Sequence, residues 1–157
     1  MDRKGYAIVA FAVLLLGSFL AWEWYLSPEA QVRRTIERAA EAAETLDLAG
    51  FLDTVSPDYS DYMNLDRSTL EERLREGFSR IDRMNITVSG VDVIPDGASA
   101  SARFDLMAVA IRGEERFVLI GTPLAGEKVQ AFLEKSDDGW KIQRVERNTA
   151  TEAASPR

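Results

Sequence analysis

Apolar residues follow three different rules along the chain. From Tyr6 to Tyr25 they are almost continuous, and Glu23 is the only charge. From Ser27 to about Arg83 they recur every three or four positions, the period of a helix. Beyond Arg83 they alternate with polar residues, the period of a half-buried strand. In the helical stretch, Ser27 is placed as an N-cap, with Pro28 at the first helical position and Glu29 in the first turn. Val32, Ile36, Ala39, Ala40, Ala43 and Leu46 then form one apolar stripe. Asp47 is suited to cap a short second helix carrying Leu48, Phe51, Leu52 and Val55, which Pro57 is expected to end. Ser68 and Glu71 have capping-box spacing, followed by Leu70, Leu74, Phe78 and Ile81 on one face.

In the alternating stretch, Ile86 and Val88 share a phase that slips at Ser89-Gly90 and resumes with Val91 and Val93, the signature of a β-bulge. Asp96-Gly97 and Asp138-Gly139 are hairpin signals, and Gly113 punctuates a third turn. Between them, Ala98, Ala100, Ala102, Phe104, Leu106, Ala108 and Ala110 line one face of a long strand. Phe117–Ile120, then Val129, Ala131 and Leu133, and then Trp140, Ile142 and Val145 continue the pattern. Three helices followed by a curved antiparallel meander of four or five strands is an α+β architecture.

The continuous apolar segment predicts a membrane anchor. Twenty helical residues span roughly 30 Å, the thickness of a hydrocarbon core. Ile8, Val9, Phe11, Val13, Leu14, Leu15, Leu16, Phe19 and Leu20 supply the apolar bulk, and Trp22, Trp24 and Tyr25 cluster at the distal end as an interfacial belt. Arg3 and Lys4 ahead of the span orient it with the N-terminus inside and the rest exported. A cleaved signal peptide is the competing reading, but Phe19 and Trp22 flank its best junction at Ala21. The expected organisation is a cytoplasmic end at residues 1–5, an anchor at 6–26, one domain at 27–147 and a disordered tail at 148–157. The tail reads NTATEAASPR, which is small, polar and aperiodic.

Composition narrows the chemistry. The 157 residues include no cysteine and no histidine. That removes disulfides, thiolate nucleophiles, imidazole bases and the common transition-metal ligands. A net charge of -7 argues against a nucleic-acid partner. Asp137-Asp138 is better explained as a turn than as a cation site, so no metal or cofactor is expected. Gly121–Lys128 has two glycines near a lysine, but Glu127 separates Gly126 from Lys128 and a strand follows, so it reads as an irregular crossing rather than a phosphate loop. Glu71, Glu72, Arg73, Arg75 and Glu76 read as a solvated helix face.

The element order resembles the nuclear transport factor 2-like (NTF2-like, SnoaL-like or cystatin-like) superfamily. The resemblance is carried by the opening helix and the segment Ser56-Pro57-Asp58-Tyr59-Ser60-Asp61. The helix from Ser68 and the closing hairpin from Phe132 to Ile142 complete it. It covers about residues 28 to 146. It implies a cone in which three helices pack on a curved sheet of four to six strands around a cavity. Members include isomerases, dehydratases, ligand binders and assembly modules, so function must be argued from the site.

For related isomerases the resemblance implies a carboxylate base and a tyrosine donor. Here these would be Asp61 with Tyr59 or Tyr62. The alternative is that both tyrosines pack under the sheet and Asp61 satisfies a turn. Tyr59, Tyr62, Phe104, Leu106 and Trp140 are the candidate pocket residues. The alanine face has two explanations, close approach of the alanine-bearing first helix or a cavity. The reading that follows is a non-catalytic, membrane-tethered interaction module, a subunit or assembly factor of a bacterial envelope complex. Its partners would be the bilayer through residues 6–26 and a second protein or a second copy. The alternative is a binder of a small apolar ligand, isomerase-like or not, that uses the cone.

Overall fold

The computed structural model describes residues 3–147, with the side chains of residues 3–11 and of Trp24 outside that description. The tail expected at 148–157 therefore lies outside the described residues, as do Met1 and Asp2. A helix, α1, runs Arg3–Leu26. Ser27 breaks it with extended backbone, and α2 follows at Pro28–Glu44. The Ser27 hydroxyl accepts from the Ala30 N–H at 3.2 Å, so the expected cap is formed. Leu46 turns the chain at φ 55°. Asp47 then accepts from the Gly50 N–H at 3.0 Å and caps α3, Leu48–Asp53.

The chain next departs from the expected order. Val55–Asp61 forms a strand, β1, paired in parallel with the last strand. Val55 belongs to it rather than to α3, and Pro57 lies inside a strand instead of ending a helix. Proline is tolerated here because β1 is the sheet's outer strand and its register is irregular between Val55 and Ser60, so no ladder hydrogen bond is lost. The third domain helix, α4, spans Arg67–Phe78. Its cap is Asp66, which accepts from the Thr69 N–H at 2.8 Å, and the Ser68 hydroxyl donates to Asp66 instead of capping the helix itself. Ile81 falls beyond the helix.

The remaining strands are β2 (Arg83–Asp96), β3 (Ser99–Arg112), β4 (Glu115–Ile120), β5 (Glu127–Ser136) and β6 (Gly139–Arg147). They make a six-stranded sheet in the order β1-β6-β5-β3-β2, with β4 also on β3. The expected bulge is present: the β2–β3 register shifts between Ser89 and Asp92, and Gly90 supplies φ 63° there. β3 changes neighbour along its length. Its first half pairs with β5 through Leu106, and from Ala108 onward it pairs with β4. The crossing from β4 to β5 needs both glycines. A Cβ on Gly121 would lie 2.9 Å from the Ala125 carbonyl oxygen, and one on Gly126 would lie 3.2 Å from the backbone nitrogen of Leu106.

Helix α2 lies across the concave face and is fastened to β2 near both of its ends. Arg33 donates to the Val91 carbonyl at 3.1 Å, and the Glu44 carboxylate accepts from the Ile86 N–H at 2.9 Å. Val32, Ile36 and Ala39 share a core with Ala100, Ala102, Ala131, Leu133 and Trp140. By contrast α4 buries none of its residues fully and touches mainly α3 and β1. Among the described residues no helix is long and apolar enough to cross a membrane. The described side chains of α1 begin only at Ala12, so the span expected over 6–26 rests on sequence.

Ala102 has no solvent exposure and sits in the core with Val32, Ile36 and Ala39 of α2. Ala102→Leu is expected to lower stability by about 1–3 kcal/mol, the usual cost of overpacking, read as a lower urea midpoint with an unchanged slope.

Candidate ligand-binding site

The alanine face gives way to a void at its far end. An apolar cavity of about 290 Å³ lies between α2, α4 and the sheet. Helix α2 contributes Ile36, Ala39, Ala40 and Ala43, and α4 contributes Leu74 and Phe78. The sheet contributes Met84, Ile86, Val88, Phe104, Leu106, Ala108, Leu119, Ile120, Val129, Ala131, Ile142 and Val145, and Phe51 completes the wall. Alanine explains both features expected of it. Ala100 and Ala102 permit close packing, whereas Ala108 and Ala131 leave space opposite Ala39, Ala40 and Ala43. No polar or titratable side chain lines this wall, so no proton donor or acceptor would face a bound molecule there.

Of the candidate pocket residues, Phe104 and Leu106 are in the cavity wall, and Tyr59, Tyr62 and Trp140 are not. Trp140 is 2% exposed and packs in the core beneath α2, where the Thr35 hydroxyl donates to its carbonyl at 3.4 Å. Tyr62 is exposed, with the Arg147 guanidinium 4.8 Å from its ring centre. Tyr59 is buried on β1. Burial pushes its hydroxyl pKa well above the ordinary 10.0, and the neighbouring Asp61 charge and Tyr62 raise it further.

Asp61 serves a turn. Its Oδ1 accepts from the N–H groups of Met63 at 2.8 Å and Leu65 at 2.9 Å. Neither Asp61 nor Tyr59 is among the residues that line the cavity. Asp105 faces outward and pairs with Lys128 at 3.1 Å. Of the aromatic residues expected at a membrane interface, Trp22 and Tyr25 are exposed, and Arg34 from α2 stacks 3.9 Å from the Tyr25 ring centre. The Trp24 side chain lies outside the described residues.

A second concavity, of about 450 Å³, adjoins the cavity between α4 and the β3–β4 edge. It shares Leu74, Phe78, Met84 and Leu119 with the cavity wall and adds Arg73, Arg80 and Arg112. Arg73 is thus at the rim of a concavity and not only on the solvated helix face expected from sequence. The available signal was the spacing of Arg73, Gly77 and Arg80 beside Leu74 and Phe78, which places arginines along the rim of an apolar stripe.

The architecture has known counterparts. No family model matches the chain, and no curated protein matches it. Solved structures do. One is an NTF2-like protein with a cystatin-like fold from Novosphingobium aromaticivorans, at a TM-score of 0.63 and 15% identity, covering 88% of this chain and 94% of that one. The fold is that of the NTF2-like proteins. A proposed dehydratase of that family from Streptomyces avermitilis has a TM-score of 0.60 at 16% identity, covering 74% of this chain and 91% of its own. A cystatin-like-fold protein of unknown function from Nostoc punctiforme has a TM-score of 0.58 at 13% identity, covering 74% and 86%. At these identities the likeness establishes the NTF2-like cone and carries no activity across.

The buried Tyr59 hydroxyl makes a pH prediction. Because its folded pKa is raised, the folded state holds the proton more tightly than the unfolded chain. That stability is fully present below pH 10 and is lost as pH rises above it. Wild-type and Tyr59→Phe chains should therefore lose stability with different slopes above pH 10 and in parallel below it, as read by chemical denaturation across that range.

Proposed function

We propose that this chain is a membrane-tethered, non-catalytic domain that binds a small apolar molecule in its cone. The carrying observation is the 290 Å³ cavity with an apolar wall throughout. An apolar cavity of about 150 Å³ already stays dry and takes up benzene. At about 24 cal/mol per Å³, an empty void of this size would cost up to roughly 7 kcal/mol, an upper bound because the neighbouring groove gives it access to solvent. That is a large share of a domain's typical stability of about 5–15 kcal/mol. A ligand that fills the space recovers part of this by linkage.

Tethering is supported by α1. Val13, Leu14, Leu15 and Leu16 are four consecutive exposed residues, and the three steps between them turn through about 300°. Over this turn the helix is thus apolar and exposed on every side, and its hydrogen bonds and ring contact with α2 lie at its distal end, at Tyr25 and Leu26, which suits lipid rather than a protein core. Trp22 and Tyr25 at its distal end suit the bilayer interface. The topology we assign puts the cone outside the cytoplasmic membrane of a bacterial cell.

A second reading, an interaction module, is supported by one surface. Phe117, Val118 and Leu119 on β4 are exposed and contiguous, and Leu124 on the adjoining loop is 98% exposed.

Octan-1-ol is a suitable neutral probe. We expect saturable binding by calorimetry to the full chain in lipid nanodiscs, with empty discs as the blank, and a raised midpoint of thermal unfolding. Ala108→Leu projects extra volume into the void, so it should abolish octanol binding while leaving the midpoint unchanged or higher. Octanol binding that survives Ala108→Leu would rule out the cavity as its site. For the tether, the chain should stay with membranes through alkaline carbonate extraction, and a variant carrying Leu14→Arg and Leu16→Arg should be released.

A further inference from the structure

Resting on the apolar-ligand reading, we propose that the ligand is an anionic amphiphile: an aliphatic or fused-ring body in the cone and a carboxylate or phosphate head at the arginines of the α4–β4 groove. Three observations converge. The groove and the cavity share four wall residues, Leu74, Phe78, Met84 and Leu119, so one molecule can occupy both. The groove's charged lining consists of Arg73, Arg80 and Arg112 alone, although the chain as a whole carries a net charge of -7. The cover over the junction is α4, the helix that buries none of its residues fully, so a tail can pass beneath it without dismantling the core.

The arginines are available. Arg73 makes no hydrogen bond or ion pair among the described residues. Arg80 pairs with Glu76 one turn away on the surface. Arg112 pairs with Glu115 at 3.1 Å and lies 5.2 Å from the Phe117 ring centre. Both pairs are solvent-exposed, and exposed pairs contribute little, so exchanging a glutamate for a ligand anion costs little. Asp82 follows the groove residue Ile81 in sequence, and its Oδ2 accepts from the Gly113 N–H at 2.7 Å. Two or three guanidinium groups on one head group give charge-assisted, forked hydrogen bonds, which a neutral alcohol cannot match.

The test compares octanoate, octyl phosphate and octan-1-ol on the full chain in nanodiscs, with empty discs subtracted. In the wild type, both anions should bind about tenfold or more tighter than octanol, and the preference should shrink in high salt. In a variant with Arg73→Gln, Arg80→Gln and Arg112→Gln, the preference should fall to about one while octanol affinity stays unchanged. The substituted side chains are exposed, so the variant's unfolding midpoint without ligand should match the wild type. Tighter octyl phosphate than octanoate would indicate a phosphate head such as a lipid's, and the reverse a free acid. Equal affinity of octanol and the anions in the wild type would overturn the proposal and leave the cavity reading standing, as would a preference that persists in the triple variant. No binding by any of the three would overturn both.

Discussion

Everything in this domain depends on how close α2 can come to the concave face of the sheet. Alanine decides it on both sides. Ala39, Ala40 and Ala43 on the helix face a strand surface built on Ala100, Ala102, Ala108 and Ala131. The helix is held near each end by a polar side chain, Arg33 or Glu44, bonded to the β2 backbone, so its position does not depend on apolar side chains filling the space beneath it. Where the curved sheet is near, the alanines give dense packing. Where it bends away, the same small side chains leave the void. One residue type thus produces a tight core and a cavity a few residues apart, because a straight helix cannot follow a curved sheet.

Much of this was legible in the sequence. Ser27-Pro28 and Asp47 fixed two helix starts, because caps are local chemistry. Ser89-Gly90 located the bulge, because a phase slip in a strand has few other causes. Asp96-Gly97 and Asp138-Gly139 placed the hairpins. The strand β1 was not legible. Its proline reads as a breaker, and its pairing with β6 joins segments more than eighty residues apart, which no local pattern encodes. The cap of α4 moved from Ser68 to Asp66 for a simpler reason: both residues are good caps, and the carboxylate is the stronger acceptor.

The site was half legible. Phe104 and Leu106 were found because they share a face with the alanines. Tyr59, Tyr62 and Trp140 lie away from this cavity, because aromatic character does not say which side of a sheet or which end of a cone a ring occupies. Asp61 and the two tyrosines are close in sequence, yet one is spent on a turn, one is buried and one is on the surface. The arginine rim was not legible because its members come from α4, from the turn after it and from β3, and only the fold brings them together.

Among the described residues strand β4, which lines both the cavity and the groove, pairs on one side only. Its other edge leaves backbone donors and acceptors unclaimed over Phe117–Ile120, beside exposed aromatic and aliphatic side chains. Such an edge is a template for adding a foreign strand. Glu115 and Arg116 at its start and its six-residue length are the chain's protection against this. The open edge beside the groove therefore carries a polymerisation hazard, and the charges at the head of β4 have a solubility role against it.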